Sequence, residues 1–204
     1  MSIKENIARI RAAIPDDVKI LAAAKTQGAE EIRETVENGI NIIGENYIQE
    51  LESRYASLED LNEQIEWHMI GHLQTNKINR ALKYCSCIQT VESFKKARAI
   101  NKRVPKANRE NISVLIEINI GKQESKFGVA PDFAKIEELA RAIDQLEYLK
   151  LEGLMTIEPY GKNSAEIRPY FQRMKRFYDQ LRKLDLPNSE IKTLSMGISN
   201  SYKV

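Results

Sequence analysis

Strand-like and helix-like segments alternate along the whole sequence, and this alternation constrains the fold more than any single residue. Seven short apolar runs read as strands: Val18 to Lys25, Ile40 to Gly44, Ile65 to Ile70, Cys87 to Val91, Ser113 to Ile120, Leu149 to Ile157 and Thr193 to Met196. Each but the last is followed by a helical segment with an apolar stripe. One stripe is Phe133, Ile136, Leu139, Ala140 and Ile143; another is Ile167, Tyr170, Phe171, Met174, Phe177, Tyr178 and Leu181. An opening helix carries Ile3, Ile7, Ile10 and Ile14 on one side, and Gly39 suits the end of the helix that follows the first strand. Strands joined through helices pair in parallel by right-handed crossovers, as in a barrel or a doubly wound sheet. No Gly-x-Gly-x-x-Gly or Gly-x-x-x-x-Gly-Lys motif follows the first strand, so dinucleotide and nucleotide folds lose ground. The expected architecture is an α/β fold, a (β/α)8 TIM-type barrel with one of its eight strands unaccounted for.

The sequence of 204 residues, 42% apolar, suits one globular domain spanning 1–204. Thirty-one basic and 29 acidic residues leave a formal charge of +2, too little to attract nucleic acid or an anionic membrane without a local patch. The amino terminus has no apolar signal region and no run approaches a membrane span, which predicts a cytoplasmic protein. Cys85 and Cys87, separated by one residue, would face opposite sides of a strand, an arrangement that suits reduced, packed thiols better than a disulfide or a shared metal.

In a β/α barrel the functional groups gather where the strands end. Lys25 closes the first run after Ala22-Ala23-Ala24, which leaves open space before a primary amine carried out of a buried strand. Desolvation would favour its neutral form, and a neutral amine condenses with an aldehyde, so Lys25 is a Schiff-base candidate. A strand ending in a solvated lysine would look the same locally. The other rim clusters are Gly44-Glu45-Asn46-Tyr47, Gly71-His72-Leu73-Gln74, Asn119-Ile120-Gly121, Met155-Thr156 and Ser195-Met196-Gly197-Ile198-Ser199-Asn200. The last places hydroxyls around a glycine at a helix start, which suits phosphate and equally suits an ordinary helix cap.

His68 and His72 are four residues apart but lack the intervening glutamate and third ligand of a helical zinc motif. No metal is expected; His68 reads as a core residue and His72 as a possible cofactor contact. The basic stretch Lys95-Lys96-Ala97-Arg98 to Lys106 reads as the solvated face of a helix, since aromatic residues do not interleave it. Residues Lys122 to Gly128 form a polar loop that suits a surface turn, a lid or a second anion contact.

Several stretches together resemble the pyridoxal 5′-phosphate (PLP) homeostasis proteins. They are Ala24-Lys25-Thr26, Gly44 to Glu50, Glu66 to Lys77, Ser125-Lys126-Phe127-Gly128, Gly153-Leu154-Met155-Thr156 and Leu194 to Ser199. The resemblance implies a barrel of the alanine racemase N-terminal type, with PLP held as a Schiff base on Lys25. It implies that Asn46 and His72 lie near the cofactor, that Met155 lines its ring, and that Ser195, Gly197 and Ser199 belong to the phosphate-binding turn. Family members continue into a last strand beyond the position of Val204, so the resemblance also implies a sequence truncated at its carboxyl end.

The function expected is a cytoplasmic, monomeric PLP carrier or buffer in vitamin B6 and amino-acid/keto-acid homeostasis, non-catalytic, with PLP-dependent apo-enzymes as possible recipients. The alternative is a small PLP-dependent amino-acid racemase. The residues without the resemblance would also suit a Schiff-base aldolase. A nucleic-acid-binding scaffold would have to rely on the basic helix.

Overall fold

The computed structural model describes residues 2–124, 126–159 and 161–204. Seven strands form one sheet: β1 (Leu21–Ala23), β2 (Ile42–Glu45), β3 (Glu66–Met69), β4 (Cys87–Val91), β5 (Ile112–Glu117), β6 (Leu149–Met155) and β7 (Thr193–Ser195). They lie in sequential order and every pairing is parallel. Helix α1 (Ile3–Arg11) precedes the sheet, and α2 (Ala29–Glu37), α3 (Ile48–Ser57), α4 (Ile78–Tyr84), α5 (Phe94–Asn101), α6 (Phe133–Asp144) and α7 (Ser164–Leu181) supply the crossovers. All seven expected strands are present, most of them shorter than the apolar runs that announce them.

Local chemistry sets the helix ends. Ser2 and Glu5 form a reciprocal capping box at α1, and Asn163 and Glu166 do the same at α7. Gly39, at φ +84°, closes α2 in a conformation that disfavours residues with a Cβ. The expected opening stripe is one turn too long: α1 closes at Arg11, and Ile14 lies in the bend before Pro15.

The core follows strand alternation. In β5, Ile112, Val114 and Ile116 are buried against the helices, while Leu115 joins Cys87 and Met155 in a small cluster on the opposite face. A bulge in β6 restores this phase, because Val114 pairs with Leu151 but Leu115 pairs with Gly153. Gly153 has φ +150°, and a Cβ there would lie 1.8 Å from the Thr193 carbonyl oxygen. The bulge therefore needs glycine, and it turns Met155 inward.

The sheet is curled around this inner face. Ser195 Oγ on β7 donates to Gln89 Oε1 on β4 at 2.8 Å, and Gln89 Nε2 lies 2.8 Å from His68 Nδ1 on β3. Strands three places apart in a flat sheet would be separated by about 14 Å. A direct bond between β7 and β4 therefore requires strong curvature, as in a β/α barrel.

Two expectations need correction. β1 is an edge strand rather than a buried one: Leu21 and Ala22 are half-buried, Ala23 is exposed, and Lys25 beyond it is exposed. The basic helix is not wholly solvated, because Lys96 is only 6% exposed. It shares the inner side of α5 with Ala97 and Ile100, and its amine donates to the Leu73 carbonyl with Glu92 3.5 Å away. The cysteines are free and buried on opposite sides of the sheet, Cys85 with the helix-side core and Cys87 with the inner cluster. No described helix is long and apolar enough to cross a membrane.

Candidate functional site

A cleft of about 440 Å³ opens where the strands end, lined among others by Asn46, His72, Glu117, Asn119, Lys126 and Phe127. Asn46 follows β2 and is packed against the turn after β3. A Cβ on Gly71 would come within 2.2 Å of the Asn46 carbonyl oxygen, so glycine permits this approach. The amides of Ile70 and Gly71 both donate to the Glu45 carbonyl, at 2.9 and 3.3 Å, and Thr90 Oγ1 donates to the Gly71 carbonyl at 2.9 Å. These bonds fix the backbone just before His72.

The loop after β5 forms one wall. Asn119 organises it, donating to the carbonyls of Gln123 at 2.7 Å and Lys126 at 3.1 Å and accepting the Gln123 amide at 3.0 Å. Phe127 stacks on His72 with ring centroids 3.6 Å apart and planes 14° from parallel. Lys126 donates to the Glu158 carbonyl at 2.8 Å and that of Ile157 at 3.4 Å, which ties the loop to the segment after β6. The loop that reads as a surface turn, a lid or a second anion contact thus lines the cleft through Lys126 and Phe127; Ser125 lies outside the described residues.

A charged group unforeseen in the sequence lies alongside. Glu117 ends the inner face of β5, one of its carboxylate oxygens has no described partner, and burial followed by repulsion from Glu92 raises its pKa to about 7. Burial, followed by the Lys96 charge, lowers the pKa of His72. The alternation of β5 puts Glu117 on the same face as Leu115, and the stripe Lys96, Ala97, Ile100 marks the buried side of α5; these were the available signals. Gln89 had none, because every residue of β4 is buried and the run has no alternation.

Lys25 stands at the end of β1, beside the strand that leads into Asn46. The Ala24 amide donates to the Gly44 carbonyl at 2.9 Å, and the Gln27 amide returns to the Ala24 carbonyl at 3.0 Å. This tight turn holds Thr26 at φ +66°. A β-branched residue there is strained by roughly 1–2 kcal/mol, and such strain is typical of functional sites. Among the described residues the Lys25 side chain has no ion pair or hydrogen bond.

The remaining candidates stand at the same carboxyl ends of the parallel strands, outside this cleft. Asn46 and His72 line the cleft, whereas Lys25, Met155, Ser195, Gly197 and Ser199 do not. Met155 is buried in the inner cluster and pairs with Ser195, whose hydroxyl is engaged by Gln89. Gly197, at φ +90°, and Ser199 form the turn after β7, and their amides have no acceptor among the described residues. Nor do those residues include a cluster of three metal-ligating side chains.

The alanine racemase N-terminal domain family matches residues 1–202. The pyridoxal phosphate homeostasis protein of Aquifex aeolicus is 39% identical over 186 residues, which are 91% of this chain and 78% of that protein. The chain belongs to this family. The pyridoxal phosphate homeostasis protein of Haemophilus influenzae is 37% identical over 183 residues, 90% of this chain and 76% of the relative. Among solved structures, PipY of Synechococcus elongatus without PLP superposes with a TM-score of 0.90 at 29% identity, covering 98% of this chain and 91% of PipY. PipY with PLP bound gives a TM-score of 0.86 with the same coverage. The alanine racemase of Clostridium difficile, at 17% identity and a TM-score of 0.66, shares the fold, this chain covering 55% of it. The pyridoxal phosphate homeostasis family thus has the β/α barrel of the alanine racemase N-terminal type, and this chain follows it through seven strands.

Proposed function

We propose that this protein binds PLP reversibly through a Schiff base on Lys25 and carries or buffers it, without turnover, in vitamin B6 and amino-acid/keto-acid homeostasis. The observation that carries this reading is the similarity over nearly the whole chain to PipY, crystallised with PLP bound, and to relatives named for pyridoxal phosphate homeostasis.

The donor set suits the ligand. Lys25 offers an exposed amine without an ion pair among the described residues, whereas the Lys126 amine is held by two carbonyls. The turn with Gly197 and Ser199 offers amide donors for a phosphate, next to Ser195. Asn46 and His72 lie at neighbouring strand ends, and Met155 gives an apolar surface facing the barrel interior. In this reading Lys25 takes the carbonyl, Ser195, Gly197 and Ser199 hold the phosphate, and Asn46, His72 and Met155 contact the ring. Once bound, PLP would supply an electron sink to any amine that condensed with it. The proposed setting is a cytoplasmic monomer that passes the cofactor to PLP-dependent apo-enzymes.

Borohydride reduction of the PLP-loaded protein followed by peptide mapping tests the assignment. The label is expected on Lys25, and a label on Lys77, which lines the cleft, would overturn it. Lys25→Ala and Lys25→Arg should both abolish the visible Schiff-base band, since a guanidinium does not substitute for the amine. Loss of optical rotation from an L-amino acid in the presence of the loaded protein would replace carriage with racemisation.

A further inference from the structure

Glu158 is only 4% exposed, although it lies in the segment between β6 and α7. Burying a carboxylate is costly unless it is hydrogen-bonded, so its partner identifies what it acts upon. Ser201, 1% exposed, donates its hydroxyl to Glu158 Oε1 at 2.5 Å, a charge-assisted bond across 43 positions of sequence. The same hydroxyl accepts the amide of Ile198 at 2.9 Å, and the Ser201 amide returns to the Ile198 carbonyl at 2.9 Å. Ile198 stands between Gly197 and Ser199, whose amides have no described acceptor.

We infer that Glu158 is a positioning residue for the phosphate-holding turn, acting through Ser201, an inference that rests on the PLP-binding reading. Glu158 fixes the Ser201 hydroxyl, the hydroxyl occupies the Ile198 amide, and the flanking Gly197 and Ser199 amides are left for an anion. Gly197, at φ +90°, has no intrinsic preference strong enough to hold this geometry unaided. The segment that carries Glu158 is braced from its other side: Lys126 donates to the Glu158 carbonyl, and Gly121 is packed against Pro159 so closely that a Cβ would meet its ring at 2.6 Å. The second carboxylate oxygen of Glu158 has no described partner, so Ser201 is the contact through which the group acts.

The test compares PLP with pyridoxal, which has the same aldehyde and ring but no phosphate. Dissociation constants for both are measured by absorbance titration of wild type, Glu158→Ala, Glu158→Gln and Ser201→Ala, with thermal unfolding of each. Glu158→Ala and Ser201→Ala should weaken PLP about tenfold, the loss of one hydrogen bond to a charged group, and leave pyridoxal unchanged. Glu158→Gln, whose amide oxygen still accepts from Ser201, should keep most of the PLP affinity. Equal weakening of both ligands, or no weakening of PLP, overturns the inference while the binding reading stands. Failure of wild type to take up either ligand sinks the binding reading itself and the inference with it. If Glu158→Ala does not fold, Ser201→Ala against Glu158→Gln decides the matter.

Discussion

Ser195 and Gln89 are hydrogen-bonded at 2.8 Å through the inside of the barrel, although three strand steps separate them. Because the hydroxyl donates to Gln89 Oε1, the Gln89 amide nitrogen is the donor toward His68 Nδ1, which places the His68 proton on Nε2. One amide thus ties β3, β4 and β7 together.

Replacing Gln89 with Leu should leave the Ser195 hydroxyl and the His68 ring nitrogen without these partners in a confined interior. A loss of about 2 kcal/mol is expected. Ser195→Ala should cost about 1 kcal/mol, since it removes one bond. Urea unfolding at neutral pH measures both, and a Gln89→Leu protein as stable as wild type would show that the tie contributes nothing.

Lys96 offers a sharper contrast. Its ammonium is buried, donates to the Leu73 carbonyl and lies 3.5 Å from Glu92, so removing it leaves an uncompensated carboxylate beside Glu117. Lys96→Met is expected to destabilise by about 3 kcal/mol. The double variant Lys96→Met, Glu92→Leu should recover part of that, because the orphaned charge leaves with it. Chemical denaturation of the four proteins in the cycle gives the coupling, and a purely additive result would mean that the two charges do not interact.

The sequence made the fold legible because six crossover helices separate runs of apolar residues, and parallel strands buried on both faces leave such runs. It also marked the rim, since Gly71, Asn46 and Asn119 stand where strands end. Burial within the elements was harder to foresee. Lys96 follows Lys95 in a basic stretch, and only the tertiary position of the Leu73 carbonyl makes one of the two lysines internal. For β1 the difference runs the other way: its apolar run suggested a buried strand, whereas Leu21 and Ala22 are half-buried and Ala23 and Lys25 are exposed. Glu158 was invisible because its meaning lies in Ser201, far away in sequence.

The thiols should be inert in the folded protein. Burial raises the pKa of Cys85 to about 12 and that of Cys87 well above the ordinary thiol value. The thiolate is the reacting species, so neither should react with Ellman's reagent at neutral pH until the protein unfolds. Two equivalents are expected in denaturant and essentially none before it. A fast native reaction of either residue would contradict its buried position.

Glu117 and His68 should pull stability in opposite directions with pH. Burial, with Glu92 second, raises Glu117 from 4.5 to about 7, so between those values the folded protein keeps a proton that the unfolded chain releases. Its contribution is complete below pH 4.5 and is lost as pH rises through about 7. Burial lowers His68 from 6.5 to about 4, so its contribution is complete above 6.5 and is lost as pH falls through about 4. In the overlapping window the slopes oppose and flatten the wild-type profile. Glu117→Gln removes one of them. Relative to wild type, the variant should gain stability as pH rises toward 7 and lose it more steeply as pH falls from 6.5 to 4, the remaining slope being that of His68. Urea midpoints collected at closely spaced pH values for the two proteins check this, and parallel curves would mean that Glu117 titrates as an ordinary solvated carboxylate.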